Sequence, residues 1–215
     1  MVFIKNILFI FVIAFFFAGL TSGVNMALTK RIQLNEETRT SRQLLEVLGI
    51  EFPTRSTPEA IRQIESKCVK STKIGQDYVY AAFDERGALE RYAFPISGRG
   101  LWGPIHGLVA LNSSLSKIDG LIFTSHSETP GLGARIDEKW FRDQFKGIDV
   151  SKISSQEKFV SFQSGGKESS NRLDAITGAT ITSNSVQNIL NNDIKAILSE
   201  RDQIRRIDWP SLPKR

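Results

Sequence analysis

The stretch DAITGATITS at 174–183 places a threonine hydroxyl next to backbone that is almost bare of side chains. Gly178 and Ala179 directly precede Thr180, and a segment with apolar residues at helical spacing follows. The free N–H groups and the dipole of a helix N-terminus stabilise an anion such as phosphate. Thr180 is therefore a candidate attachment point for a phosphate-bearing group. On the residues alone, the alternative is that Thr180 and Thr182 only cap the helix.

Two further glycine-bearing clusters occur earlier in the chain, SGRGLWGPIHG at 97–107 and SETPGLGAR at 127–135. Glycine allows the backbone to approach a ligand closely, and both clusters lie between predicted elements, where binding loops are usually found. Neither cluster is a nucleophile elbow or a dinucleotide-binding glycine loop. We therefore predict binding loops and no catalytic residue in this chain.

Cysteine and histidine are too few and too scattered for metal chemistry. The one cysteine, Cys68, cannot close an intrachain disulfide, and His106 and His126 have no zinc-site spacing, so no metal is predicted. We expect Cys68 to be a partly buried residue on a helical face. Either histidine could donate a proton, but a structural role is favoured because only Glu128 could orient one of them.

The formal net charge of +5 does not indicate a nucleic-acid partner. Lysine and arginine are interleaved with aspartate and glutamate, and no basic stripe with aromatic residues stands out. The basic tail at 201–215 is equally compatible with solvent or with a negatively charged partner or membrane surface.

The N-terminal segment is apolar and long enough to cross a membrane. No charged residue occurs from 6 to 28, and about twenty residues in a helix span the roughly 30 Å hydrocarbon layer. We predict an uncleaved anchor at 1–28. A cleaved signal peptide is the alternative, because Lys5 precedes the apolar run and small residues follow it. Both interpretations place the rest of the chain outside the cytoplasm.

Behind the anchor, the residue patterns predict an α+β domain with an antiparallel sheet flanked by helices. The predicted elements, in chain order, are a helix from 29 to 48 stopped by Gly49, a helix from 58 to 70, a hairpin of DYVYAAF and LERYAFPI, a strand pair of HGLVAL and KIDGLIFTSH, a short helix EKWFRDQFKG, a strand KFVSFQSG, and a final helix capped by Thr182 or Ser183. We divide the chain into the anchor, a juxtamembrane helical region at 29–72, a domain at 73–200 and the tail.

The three glycine-bearing clusters, in this order, resemble the FMN-binding domain that is shared by the C subunit of the Na⁺-translocating NADH:quinone oxidoreductase (Nqr) and the G subunit of the Rnf electron-transport complex. In that family, a phosphoester bond joins FMN to the last threonine of a D-x-x-[ST]-G-A-T motif. Residues 174–180 match this motif, and GLWGP at 100–104 resembles the Nqr protein more than the Rnf protein. The resemblance therefore implies FMN bound covalently to Thr180.

The resemblance also implies a set of cofactor-binding residues. The loop at 128–133 is expected to pack against the isoalloxazine ring. The full expected set is Trp102, Glu128, Thr129, Gly131, Leu132, Gly133, Asp174, Thr177, Gly178, Ala179 and Thr180. Core packing for Trp102 and a solvated loop position for Glu128 are the open alternatives.

The resemblance further implies that the chain transfers electrons within an ion-translocating complex and has no substrate site of its own. Its partners would be the other integral subunits and a flavin transferase that moves the FMN moiety of FAD onto Thr180. The expected location is the bacterial inner membrane, crossed once, with the FMN domain on the periplasmic side. The alternatives are the G subunit of an Rnf-type complex, a stand-alone extracytoplasmic flavoprotein, and an anchored adaptor without a cofactor.

Overall fold

The computed structural model describes residues 2–75, 77–151, 160–162 and 172–209, and the chain divides into two units, Met1–Arg39 and Thr40–Arg215. The first unit lies in helix α1 (Val2–Val47). Its apolar side chains are exposed, and its hydropathy and length are sufficient for a membrane span. Helix α1 ends where the sequence predicts, since Gly49 follows with a positive φ of 68°.

The second unit is built on a five-stranded antiparallel sheet in the order β1-β2-β3-β4-β5. The strands are β1 (Val69–Ile74), β2 (Asp77–Phe83), β3 (Leu89–Arg99), β4 (Pro104–Asn112) and β5 (Ile118–Ser125). Both predicted strand pairs are confirmed, with Tyr80 opposite Ala93 and Val109 opposite Leu121. The α+β prediction is therefore correct.

The edge strand β1 is absent from the sequence-based prediction, which continues the preceding helix to Lys70. Helix α2 (Pro58–Cys68) in fact ends one residue before Val69, which is extended and pairs with Ala82. Only the first and last residues of β1 are buried. An edge strand with polar residues between its two buried ends gives little of the alternation by which strands are recognised.

The sheet has a hydrophobic core on each face, because successive strand residues point to opposite sides. Tyr92, Phe94 and Ile96 pack on the side of helix α4 (Thr180–Ser199). Ala93 packs on the other side, with the end of α1 and with Ile61 of α2. Cys68 is partly buried against this second cluster, as expected.

The remaining elements lie between β5 and the C-terminal part of the chain. A 3₁₀ helix (Gly133–Asp137) precedes α3 (Lys139–Asp143), which is shorter than the predicted helix although Gly147 has the expected positive φ, 81°. The two-residue strands β6 (Ser161–Phe162) and β7 (Arg172–Leu173) pair in parallel. Most of the predicted strand KFVSFQSG lies outside the described residues.

Helix α5 (Arg201–Arg205) follows α4 and occupies the start of the predicted basic tail. Trp209, further along the tail, packs against the side chains of Phe83 and Tyr92 on the sheet, with ring centroids 6.0 Å and 6.3 Å away. The first part of the tail is therefore docked on the domain. Residues 210–215 lie outside the described residues.

Candidate functional site

Helix α4 begins at Thr180 itself, with Ala179 as the residue before the first turn and no side-chain cap. The prediction that Thr182 or Ser183 caps this helix is wrong. The Ser183 hydroxyl instead accepts a hydrogen bond from the Ile176 N–H and donates one to the Ala179 carbonyl, each 3.1 Å long. These two bonds connect the loop that contains Ile176 and Ala179 to the first turn of α4.

The first turn of α4 is suited to an anion. The first backbone hydrogen bond of the helix runs from the Ser183 N–H to the Ala179 carbonyl and is 3.0 Å long. The N–H groups of Thr180, Ile181 and Thr182 come before it and take no part in the helical hydrogen bonds. No acidic residue occurs in this turn. The turn therefore presents N–H donors and the positive end of a helix dipole beside an exposed threonine hydroxyl.

The chain reaches this turn through Gly178, whose φ of 78° lies in the left-handed region. A residue with a Cβ rarely adopts this conformation, and a Cβ at Gly178 would also lie 3.2 Å from Leu132 Cδ2. The backbone conformation thus favours glycine at this position of the motif.

A cleft of about 310 Å³ opens next to Thr180. Its lining residues are Leu101, Glu128, Thr129, Leu132, Gly133, Gly178, Ala179, Thr180, Ile181 and Thr182. The structure therefore brings all three glycine-bearing clusters to one place, although they are far apart in the sequence. Most of the residues expected from the resemblance lie in this lining; Trp102, Gly131, Asp174 and Thr177 do not.

Trp102 lies beside the cleft and outside the core. Its side chain is 69% exposed, which contradicts the core-packing alternative. The indole Nε1–H donates a hydrogen bond of 3.0 Å to the Thr129 hydroxyl, which lines the cleft. The aromatic face of Trp102 is therefore available to a ligand or a partner.

Glu128 is buried, with 5% of its surface exposed, so the solvated-loop alternative is wrong. Its Oε1 accepts the Leu101 N–H at 2.7 Å and the Trp102 N–H at 3.4 Å. Its Oε2 accepts the Thr182 hydroxyl at 2.6 Å. The carboxylate thus connects the 97–107 cluster to the first turn of α4.

His126 has an orienting carboxylate that the sequence-based reasoning missed. Its Nδ1 accepts the Glu128 N–H at 3.2 Å, which places the proton of the neutral ring on Nε2. Nε2 then donates to Asp137 Oδ2 at 3.0 Å. Since Asp137 lies eleven residues further on, in a 3₁₀ helix, no local pattern pointed to it. Both ring nitrogens are engaged, which agrees with the structural role favoured for this histidine.

Gln144 is a further residue of the site that no motif contains. Its side-chain Oε1 accepts the Asp174 N–H at 2.7 Å, and its Nε2 donates to the Asp174 carbonyl at 3.3 Å. This pair of bonds fixes the backbone at the start of the D-x-x-T-G-A-T segment. The Asp174 side chain remains exposed, as does Thr177 next to Gly178.

The residues present fit a phosphate-bearing ring system. The cleft volume is at the lower end of the range of small-molecule sites, about 300–1,000 Å³. Leu101, Leu132 and Ile181 supply apolar surface, and all three are substantially exposed. The N–H groups of the first α4 turn supply an anion site, so the apolar and the anionic parts of such a ligand each find a matching surface.

Comparisons with known proteins agree with this geometry. The FMN-binding domain family model matches residues 100–195. The C subunit of the Na⁺-translocating NADH-quinone reductase of Vibrio anguillarum is 28% identical over 136 residues, which are 63% of this chain and 52% of that protein. The corresponding protein of Yersinia pestis is 31% identical over 116 residues, which cover 53% of this chain and 43% of its own length. The chain thus spans about half the length of these relatives.

Solved structures show the same fold. The crystal structure of the C subunit of the Na⁺-translocating NADH-quinone reductase from Parabacteroides distasonis aligns with a TM-score of 0.63 and 26% identity, over 83% of this chain and 96% of that one. The Shewanella oneidensis NqrC structure aligns with a TM-score of 0.62 and 22% identity, over 75% and 99% of the two chains. Over residues 100–195, this chain is similar to the FMN-binding domain family.

Proposed function

We propose that this chain is a membrane-anchored flavoprotein that carries FMN covalently on Thr180 and transfers electrons within an Nqr-type ion-translocating NADH:quinone oxidoreductase. The observation that carries the proposal is the position of Thr180. Its exposed hydroxyl stands at the first position of α4, at the edge of the cleft, within a match to the family's attachment motif.

The attachment step is done to this chain by a flavin transferase. The Thr180 oxygen forms a bond to the FMN phosphorus of FAD, the phosphoanhydride bond to the AMP half breaks, and AMP leaves. The hydroxyl proton passes to solvent or to the transferase. Thr180 is accessible to another enzyme because it is exposed and because Gly178 and Ala179, which precede it, have little or no side chain.

Once attached, FMN supplies the electron-transfer chemistry, and the protein supplies binding and orientation. We assign the phosphate to the N–H groups of the first α4 turn, and the ring to the apolar surface of Leu101, Leu132 and Ile181. We propose that the hydroxyls of Thr129 and Thr177 and the backbone amides of 131–133 hydrogen-bond the ring or its phosphate. We propose 73–200 as the flavin-carrying part of the compact unit Thr40–Arg215.

The proposed partners are the other integral subunits of the complex. The named relatives are C subunits of Na⁺-translocating enzymes, which favours an Nqr-type complex over an Rnf-type complex. The apolar part of α1 supports a single-pass anchor. We place the flavin domain on the periplasmic side of the bacterial inner membrane, and we propose sodium as the transported ion.

Gel fluorescence tests the attachment. The full chain is produced with and without a flavin transferase, denatured in detergent by boiling and separated on a gel. Wild type and the control variant Ser185→Ala, which removes a hydroxyl of α4 outside the cleft lining, should fluoresce only with the transferase. Thr180→Ala should not fluoresce. A dark wild-type band after exposure to an active transferase would refute the covalent assignment.

Purification separates the proposed complex from a stand-alone flavoprotein. A tagged chain expressed in its host and extracted in mild detergent should bring down other integral membrane subunits and NADH-dependent quinone reductase activity. Isolation of a flavin-loaded chain by itself would refute the assignment to a complex, while leaving the flavin attachment intact.

A further inference from the structure

We infer that Glu128 and Thr182 form a positioning pair, which holds the first turn of α4 against the 97–107 cluster and so fixes the acceptor hydroxyl of Thr180 at the cleft. This inference rests on the proposed function, because it concerns how that hydroxyl is presented. It differs from the expectation that Glu128 contacts the flavin ring.

The first observation is that three chain segments meet on one buried carboxylate. Glu128 lies in the loop after β5 and is 5% exposed, and Thr182 on α4 is 1% exposed. One carboxylate oxygen accepts the N–H of Leu101, and the other accepts the hydroxyl of Thr182. Both oxygens are thus engaged within the protein, which favours a positioning role over contact with the ring.

The second observation is that two glycines make room for this carboxylate. A Cβ at Gly100 would lie 2.4 Å from Glu128 Oε1, and a Cβ at Gly133 would lie 2.6 Å from both Glu128 Oε2 and Thr182 Oγ1. Real Cβ atoms essentially never make contacts under 3.0 Å. Two of the glycines in the first two clusters therefore serve the close approach of the loops to Glu128.

The third observation is that the loop carrying Glu128 is itself fixed. The Glu128 N–H donates to His126, whose other ring nitrogen donates to Asp137. A continuous series of hydrogen bonds thus runs from the 3₁₀ helix through His126 and Glu128 to Thr182. Thr180 lies in the same helical turn as Thr182, so an anchored Thr182 restricts the position of the Thr180 hydroxyl.

Hydrogen bonds to an ionised carboxylate are roughly twice as strong as bonds between neutral groups. The Thr182 hydroxyl therefore makes a much larger contribution here than an exposed hydroxyl would. Removing it also leaves a buried carboxylate oxygen without its donor, which favours opening of the whole junction.

Hydrogen exchange tests the pair in the full chain, in detergent and without flavin. Thr182→Val removes the hydroxyl and keeps the shape, while Thr182→Ser keeps the hydroxyl and is the matched control. In Thr182→Val, the hydrogen-bonded amides of Leu101, Trp102 and Ser183 should exchange about tenfold faster or more, the factor expected for one lost bond to a charged group. Amides of β3 and β4 and of the Ser variant should stay near wild-type rates. Wild-type exchange at all of these amides in Thr182→Val would overturn the inference.

Flavin transfer tests the consequence for Thr180. With purified transferase and saturating FAD, Thr182→Val should lower the turnover of flavin attachment by about tenfold, because the acceptor hydroxyl is no longer held in place. The KM for the chain should stay within about twofold, and Thr182→Ser should restore turnover. Equal turnover in wild type and Thr182→Val, or an equal loss in the Ser and Val variants, would overturn the inference.

A second variant keeps the test decisive if Thr182→Val does not fold. Glu128→Gln keeps one acceptor oxygen for Leu101 and replaces the oxygen facing Thr182 by an NH₂ group, so both assays should change by about threefold in the same direction. No change in either assay would overturn the inference. The proposed function fails separately, through a wild-type chain that takes up no flavin, and the exchange experiment gives its result in that case too.

Discussion

Gly133→Ala is expected to destabilise the domain strongly, because the new methyl group would enter the contact between Glu128 and Thr182. Its carbon would lie 2.6 Å from an oxygen of each residue, about 0.8 Å short of ordinary contact at 3.4 Å. The φ of Gly133 is not in the left-handed region, so the backbone itself tolerates alanine. The effect of this substitution therefore reports on the packing of the carboxylate and not on backbone strain.

The size of the effect follows from two contributions. Overpacking a well-filled site costs about 1–3 kcal/mol. Separation of Glu128 Oε2 from the Thr182 hydroxyl costs about 1.5–3 kcal/mol more, the range for a hydrogen bond to a charged group. The two contributions overlap, so we expect a total of about 3 kcal/mol. In a domain of about 150–250 residues, such as the unit Thr40–Arg215, a loss of about 3 kcal/mol should lower the melting temperature by roughly 6–12 °C.

Thermal unfolding followed by circular dichroism measures this change on the full chain, in detergent and without flavin. Gly103→Ala is the matched control, because Gly103 lies in the 97–107 cluster. A Cβ at this position would lie 3.3 Å from the Ser127 hydroxyl, which is a longer and more easily accommodated contact than those at Gly133. The control should melt within about 2 °C of wild type. If Gly133→Ala melts as close to wild type as the control does, Glu128 and Thr182 are not packed against this glycine, and the reasoning fails.

Three further predictions concern residues around the site. Gln144→Ala removes both bonds to the Asp174 backbone, so the free energy of unfolding in urea should fall by about 1–2 kcal/mol; an unchanged urea midpoint would contradict this. Asn191→Leu leaves the N–H and C=O groups of Val160 without their buried partner, so the free energy of unfolding should fall by about 2–4 kcal/mol in the same assay. An unchanged urea midpoint would show that these two bonds do not stabilise the fold. The pKa of Asp143 lies below its usual range, mainly because Lys139 donates a hydrogen bond to it. The ionised Asp143 carboxylate therefore stabilises the fold fully above about pH 4, and this contribution is lost as the pH falls towards the lower folded pKa. The melting temperature of Asp143→Asn should therefore decrease less than that of wild type between about pH 5 and 2.5.

The sequence predicts those parts of the fold that have a strong local pattern. DYVYAAF and LERYAFPI combine β-branched and aromatic residues with a polar turn between them, and they form the predicted hairpin. The apolar segment from Val186 onwards has clear helical spacing, and it lies in α4. Glycines with required positive φ, such as Gly49 and Gly147, also mark helix ends correctly.

The sequence does not predict contacts between distant segments. Glu128 accepts bonds from groups 27 and 54 residues away, and the charge of its side chain alone favours a solvated loop. The start of α4 is misplaced for a related reason. The capping rule selects Thr182 or Ser183, but both hydroxyls are engaged elsewhere, and the helix begins without a side-chain cap. Gln144 is missed because only the folded chain brings it to Asp174.

Mass spectrometry of the attachment peptide is the most direct test of the central claim. Trypsin cleaves after Arg172 and Lys195, so one peptide contains Thr177, Thr180 and Thr182. From a chain produced with an active flavin transferase, this peptide should gain the mass of FMN less one water, and its fragment ions should place the added mass on Thr180. An unmodified peptide, or an added mass on any other residue, would contradict the account.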